Sequence, residues 1–109
     1  MDMTEVLTGF MESGGDWERK RSSVPGVSIL RLPPTKNRSA SLAVEINPRG
    51  EDGRPMKRRG VLIVNRREFL GFRELFNDER VEGLLSRIES VAPAQRAGVV
   101  IKEEDILNI

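Results

Sequence analysis

The 109 residues carry 18 Lys and Arg against 17 Asp and Glu, and include neither histidine nor cysteine. That excludes a disulfide framework and thiolate chemistry, and it removes the side chain that most often serves as general base or metal ligand. With 38% hydrophobic and 32% charged residues, a chain this short is expected to form one domain with a single modest core. No run approaches the roughly 18 apolar residues of a membrane span, and the N-terminus lacks a signal-peptide pattern. The sequence therefore predicts a soluble, cytoplasmic chain with no membrane partner. Abundant Arg and Glu without cysteine also fits a thermophile's composition.

Residues 3–13 predict a short helix: Val6, Leu7, Phe10 and Met11 recur at helical spacing, and Gly14-Gly15 supplies a stop. Asp2, three residues before Glu5, resembles the start of a capping box. Residues 16–23 are polar and basic and hold the only Trp, with no clear period. Val24-Pro25-Gly26 marks a turn, and Val27 to Leu32 reads as a strand ended by Pro33-Pro34.

The stretch from Asn37 to Glu68 reads as a long-looped β-hairpin. Ala40, Leu42, Val44 and Ile46 alternate with Ser39, Ser41, Ala43 and Glu45, which predicts a strand whose aliphatic face is buried. Val61 to Val64 suits a strand buried on both faces or central in the sheet. Between them, Pro48, Gly50, Gly53 and Pro55 are turn formers, and Lys57-Arg58-Arg59 sits at the foot of the returning strand. Asn65 followed by Glu68 starts a helix carrying Phe69, Phe72 and Phe76, and Asn77-Asp78 ends it. Val81, Leu84, Leu85, Ile88 and Val91 stripe a second helix that Pro93 closes. Residues 98–101 could add a strand. The fold class expected is α+β, with an antiparallel sheet of three to four strands and helices on one face.

Charge is uneven along the chain. Residues 17–67 hold thirteen Lys or Arg against four acids, while both flanks are net acidic. Such asymmetry suggests a polyanion partner, although the charges could also scatter over opposite faces on folding. Enzyme readings are weak: no serine has a histidine to activate it, and Gly14-Gly15 lacks the Lys-Ser/Thr of a P-loop. Glu103-Glu104-Asp105 reads as a solvated acidic stretch and not as a metal site. A sheet edged by cations with a few aromatics instead suits a single nucleic-acid strand, with charge on the phosphates and rings on the bases. Trp17 reads equally as a stacking platform or as a lid over the core. Phe69, Phe72 and Phe76 read first as core, from their helical spacing.

The set Trp17-Glu18-Arg19, Val24-Pro25-Gly26-Val27, Leu32-Pro33-Pro34, Leu42 to Pro48 and Gly53 to Gly60 resembles ThermoDBP and the ThermoDBP-related proteins, single-stranded-DNA-binding proteins of thermophilic archaea. The likeness covers roughly residues 10–90. It implies an α+β fold unlike the OB-fold. It also implies DNA binding with little sequence preference, bases in an apolar cleft and phosphates on a basic rim.

These readings converge on a non-enzymatic single-stranded-DNA-binding protein without cofactor or metal. Phosphates are expected at Arg19, Arg21, Arg31, Arg38, Lys57, Arg58 and Arg59, and bases at Trp17, Met56, Phe69, Phe72 and Phe76. The alternatives are an RNA-binding factor or a protein-interaction and assembly module. The binding domain is expected over residues 1–98. Residues 99–109 join three acids to Ile106, Leu107 and Ile109. Clustered aliphatics favour burial, so this segment is expected to dock, through homo-oligomer formation or a partner contact.

Overall fold

A computed structural model of the chain describes residues 2–91, 108 and 109. The order of elements is α1 (Met3–Ser13), β1 (Arg19–Arg21), β2 (Val27–Leu32), β3 (Ser41–Ile46), β4 (Val61–Ile63), α2 (Arg66–Phe76) and α3 (Glu79–Val91). The strands form one antiparallel sheet in the order β1-β2-β3-β4. The α+β class is thus observed. Two compact units divide the chain, Met1–Phe69 and Leu70–Ile109. No helix among the described residues is long and apolar enough to cross a membrane. The strand expected at 98–101 and the docking of residues 99–107 lie outside the described residues.

Helix α1 begins where its sequence says it should. Asp2 Oδ1 accepts from the Glu5 N–H at 3.1 Å, and the Gly14 N–H closes the other end on Phe10 O at 2.9 Å. Helix α2 has the reciprocal start expected of Asn65 and Glu68. Asn65 Oδ1 accepts from the Glu68 N–H at 2.8 Å, and Glu68 Oε1 accepts from the Val64 N–H at 3.3 Å.

The fourth strand is β1, which the sequence did not signal. Arg19-Lys20-Arg21 has no apolar alternation, and all three residues are exposed. Backbone pairing with Leu30, Ile29 and Ser28 makes it a strand, and its charges discourage pairing of this edge with another chain. Strand β4 differs from expectation in the opposite sense. It is the other edge, with Leu62 exposed, because the chain turns into α2 and among the described residues no further strand pairs with it.

Burial on β3 is also reversed. The alternation is real, yet Ala43 and Glu45 are the buried residues and Val44 is 38% exposed. The register places Leu42, Val44 and Ile46 on one face with Val27, Ile29, Val61 and Ile63. There all of these but Val61, with Leu7 of α1 and Phe69 of α2, line an open apolar groove of about 490 Å³. The opposite face carries Arg19 and Arg21, Ser28 and Leu30, Ala43 and Glu45, and Leu62. Glu45 tolerates burial because its charge is met there by a guanidinium and a backbone N–H.

Neither α2, which begins in the first unit, nor α3 contains a buried residue. Phe69, Phe72 and Phe76 are therefore not closed core: Phe76 is 70% exposed, and its ring stacks on Phe72 with centroids 6.1 Å apart. Asp78 caps α3 by accepting from the Arg80 N–H at 2.9 Å and from the Arg80 guanidinium at 2.7 and 3.1 Å. Those bonds, the side-chain ones foremost, hold its carboxyl down from the ordinary 3.8 to about 2. A depressed folded-state value contributes stability above the unfolded value and loses it as pH falls towards the folded one. The α3 amide shifts should therefore move towards coil as pH falls from 3.8 to about 2, and in Asp78→Asn this acid-dependent step should be absent. Identical acid titrations of α3 in both proteins would contradict the assignment.

Candidate nucleic-acid interface

The site is built on the sheet face opposite the aliphatic groove. After α1, Gly15–Glu18 form a tight turn: the Glu18 N–H donates to Gly15 O at 3.1 Å, and the Gly15 N–H donates to Glu18 Oε1 at 2.8 Å. Trp17 occupies its third position with φ 63°. A positive φ there is what a type II turn requires, and glycine normally supplies it. A bulky residue in this region is strained by about 1–3 kcal/mol. The Trp17 N–H donates to Arg31 O at 2.7 Å, which fixes the turn to β2. Trp17 is 58% exposed, which does not suit a lid over the core.

Two residues on, Arg19 lies across the sheet from Glu45. Its Nε donates to Glu45 Oε1 at 2.9 Å and its Nη2 to Glu45 Oε2 at 3.2 Å. Glu45 Oε2 also accepts from the Gly60 N–H at 3.2 Å, so one buried carboxylate joins β1, β3 and the start of β4. Trp17, Arg19 and Arg59 then stand around a shallow groove of about 490 Å³ floored by Leu30, Gly60 and Leu62.

The rim comes from the β3–β4 connection, which is ordered by its own side chains. Asn47 clamps Lys57 in both directions, its Nδ2 donating to Lys57 O at 2.7 Å and its Oδ1 accepting from the Lys57 N–H at 3.0 Å. The Met56 N–H donates to Pro48 O at 2.8 Å, and Asp52 Oδ1 accepts from the Arg54 N–H at 3.0 Å. The loop thereby presents Met56, Lys57, Arg58 and Arg59, all exposed. Among the described residues the ion pairs are Arg19–Glu45, Arg31–Asp16 and Arg80–Asp78. Among the described residues, Lys57, Arg58, Arg59 and Arg21 therefore have no carboxylate partner.

The expected site residues are thus divided. Trp17, Arg19 and Arg59 meet in one groove and Arg21 shares its face, while Met56, Lys57 and Arg58 precede Arg59 in the β3–β4 connection. Arg38 sits in the β2–β3 connection, bridged to Thr35, at the end of the sheet opposite the β3–β4 connection. Arg31 does not belong to the rim. It falls on the aliphatic face, where its Nε donates to Met11 O at 2.8 Å and its Nη1 pairs with Asp16 at 2.8 Å, leaving the side chain 12% exposed. Arg31 anchors the end of α1 and the Trp17 turn to β2. Phe69 lines the aliphatic groove of the opposite face, so it does not share a cleft with Trp17. Phe72 and Phe76 lie in the second unit.

Sequence reading missed Glu45, Gly60, Leu30 and Leu62 as parts of the site. A lone acid in an aliphatic strand was the one signal for Glu45, and a basic segment able to pair with it lies 26 residues away. Among the described residues no group of three His, Cys, Asp or Glu could hold a metal ion. Compared with family models, curated proteins and solved structures, the chain matches none.

Proposed function

We propose that this chain binds single-stranded DNA, without catalysis and with little sequence preference, through the Trp17 groove and the cationic β3–β4 connection. The observation that carries this reading is Trp17: a large side chain, 58% exposed, kept at φ 63° in one groove with Arg59, which has no carboxylate partner among the described residues. An exposed aromatic at a strained position has no packing reason to be there, and such strain concentrates where a side chain must be aimed. Rings that stack on bases and cations that follow phosphates are the two parts single-strand binding needs. The resemblance to ThermoDBP, carried in part by residues of this turn and loop, points the same way.

The test is a substitution that separates binding from folding. Trp17→Gly should leave stability unchanged or raise it, since glycine accepts the positive φ. The affinity for a fluorescent single-stranded oligonucleotide should fall by about 1–3 kcal/mol. A large loss of stability with unchanged affinity would return Trp17 to a core role and overturn the proposal. Competition with RNA and duplex of equal length decides between DNA and the RNA alternative.

A second reading, assembly, is favoured by α2 and α3. They expose Leu75, Phe76, Leu85 and Val91 with no buried residue in either helix. Light scattering without nucleic acid, showing a mass above that of one chain, would support it.

A further inference from the structure

Resting on the binding reading above, we infer that Asn47 is a positioning residue of the DNA site: it fixes the cationic span 57–60 in its binding shape before a strand arrives. This span carries Lys57, Arg58 and Arg59, three exposed cations without a carboxylate partner among the described residues. Its main chain belongs to no helix or strand. Among the described residues, neither Arg58 nor Arg59 makes a main-chain hydrogen bond. A run of like charges repels itself and extends, so the sequence of this span gives it no shape of its own.

The span is instead pinned at both ends from β3. At its start, Asn47 Nδ2 donates to Lys57 O at 2.7 Å and Asn47 Oδ1 accepts from the Lys57 N–H at 3.0 Å. At its end, the Gly60 N–H donates to Glu45 Oε2 at 3.2 Å, and Val61 pairs with Ile46. Asn47 is itself tied down, since its N–H donates to Gly26 O at 2.8 Å. Between the two anchors lie only Arg58 and Arg59, and Arg59 lines the Trp17 groove. Both Asn47 bonds end on the main chain of Lys57, so they leave its ammonium free to meet a phosphate. A span that has lost its freedom on folding does not have to lose it on binding, and that saving appears as affinity.

The experiment titrates labelled oligodeoxythymidylate, over a range of salt, into the full chain, Asn47→Ala and Lys57→Gln, under conditions where urea unfolding shows each to be folded. Asn47→Ala keeps every cation and loses the clamp. Its affinity should be about tenfold lower at each salt concentration, with an unchanged slope of log affinity on log salt, because the bound strand still meets the same phosphates. Lys57→Gln keeps the clamp and loses one cation, so its slope should become shallower by about 0.7. In the free, unsubstituted chain the Lys57 amide should be protected from hydrogen exchange. Unchanged affinity in Asn47→Ala overturns the inference. So does a slope that falls in Asn47→Ala as it does in Lys57→Gln, since contacts and not order would then have been lost. A Lys57 amide that exchanges as fast as in an unfolded chain overturns it without recourse to any variant. Each of these results leaves the binding proposal standing, whereas failure of the unsubstituted chain to bind at low salt overturns the inference together with the reading it rests on.

Discussion

Replacing Arg19 by Met should destabilise the chain by about 3 kcal/mol, more than replacing its partner Glu45 by Ala. The two ends of this ion pair are unequally exposed, at 52% for the Arg19 side chain and 8% for Glu45. Losing Arg19 strands a carboxylate inside the sheet with only the Gly60 N–H to meet it. A buried charge without its partner typically costs about 3–5 kcal/mol, and partial access of water puts this case at the low end. Losing Glu45 instead leaves an arginine that water can reach and one unpaired backbone N–H. That costs about 2 kcal/mol, within the range for hydrogen bonds to charged groups. Urea unfolding of both variants measures the order directly. Equal losses below about 0.5 kcal/mol would mean the pair behaves as an ordinary surface ion pair. The consequence for function is practical: weaker DNA binding by an Arg19 variant must be read beside its stability, whereas Arg59 and Lys57 variants are free of that complication.

The second large effect is expected at Gly60. A Cβ there would lie 2.6 Å from Ile46 O, 2.8 Å from Glu45 Cγ and 2.9 Å from Asn47 Cβ. Ile46 pairs with Val61 in the β3–β4 ladder, so its carbonyl cannot retreat without parting the strands. Asn47 holds the loop and Glu45 holds Arg19, so each of the other displacements undoes a contact of the site. Gly60→Ala should cost about 3 kcal/mol, the upper part of the range for overfilled sites. Gly53 supplies the contrast. It has φ +79° but nothing within 4 Å of an added Cβ, so Gly53→Ala should cost only the backbone strain, about 1 kcal/mol. Thermal melts that rank the two alike would show that crowding at Gly60 is relieved cheaply, and would weaken the case that this glycine locks the groove.

Local signals in the sequence were accurate because they depend on neighbouring residues alone. Asp2, Gly14, Asn65 and Glu68 cap the helices as their spacing suggests, and Val27 to Leu32 and Ser41 to Ile46 form strands. What escaped depends on partners distant in sequence. Arg19-Lys20-Arg21 is a strand only because β2 pairs with it. Glu45 is buried only because Arg19 and Gly60 meet it there. Arg31 looked like a rim cation, since nothing near it in sequence reveals that Met11 O and Asp16 will claim it. The parity of β3 was legible, but which face closes over was not: that is decided by what stands above each face, and parity carries no such information. The charge asymmetry survived folding in part. Arg59 of the β3–β4 connection shares the groove of Trp17, while Arg38 lies in the β2–β3 connection, at the end of the sheet opposite Lys57 and Arg58.

Trp17 is the only tryptophan of the chain, so its intrinsic fluorescence reports on the groove alone. The most direct measurement is a titration of this signal with a single-stranded oligonucleotide, repeated across a range of salt. If Trp17 stacks on bases while Arg21, Lys57, Arg58 and Arg59 meet phosphates, the emission quenches to saturation. Log affinity then falls against log salt with a slope of about −3, at about 0.7 for each phosphate met. An emission that does not change at low salt, or a quench whose midpoint is indifferent to salt, would contradict single-strand binding at this site.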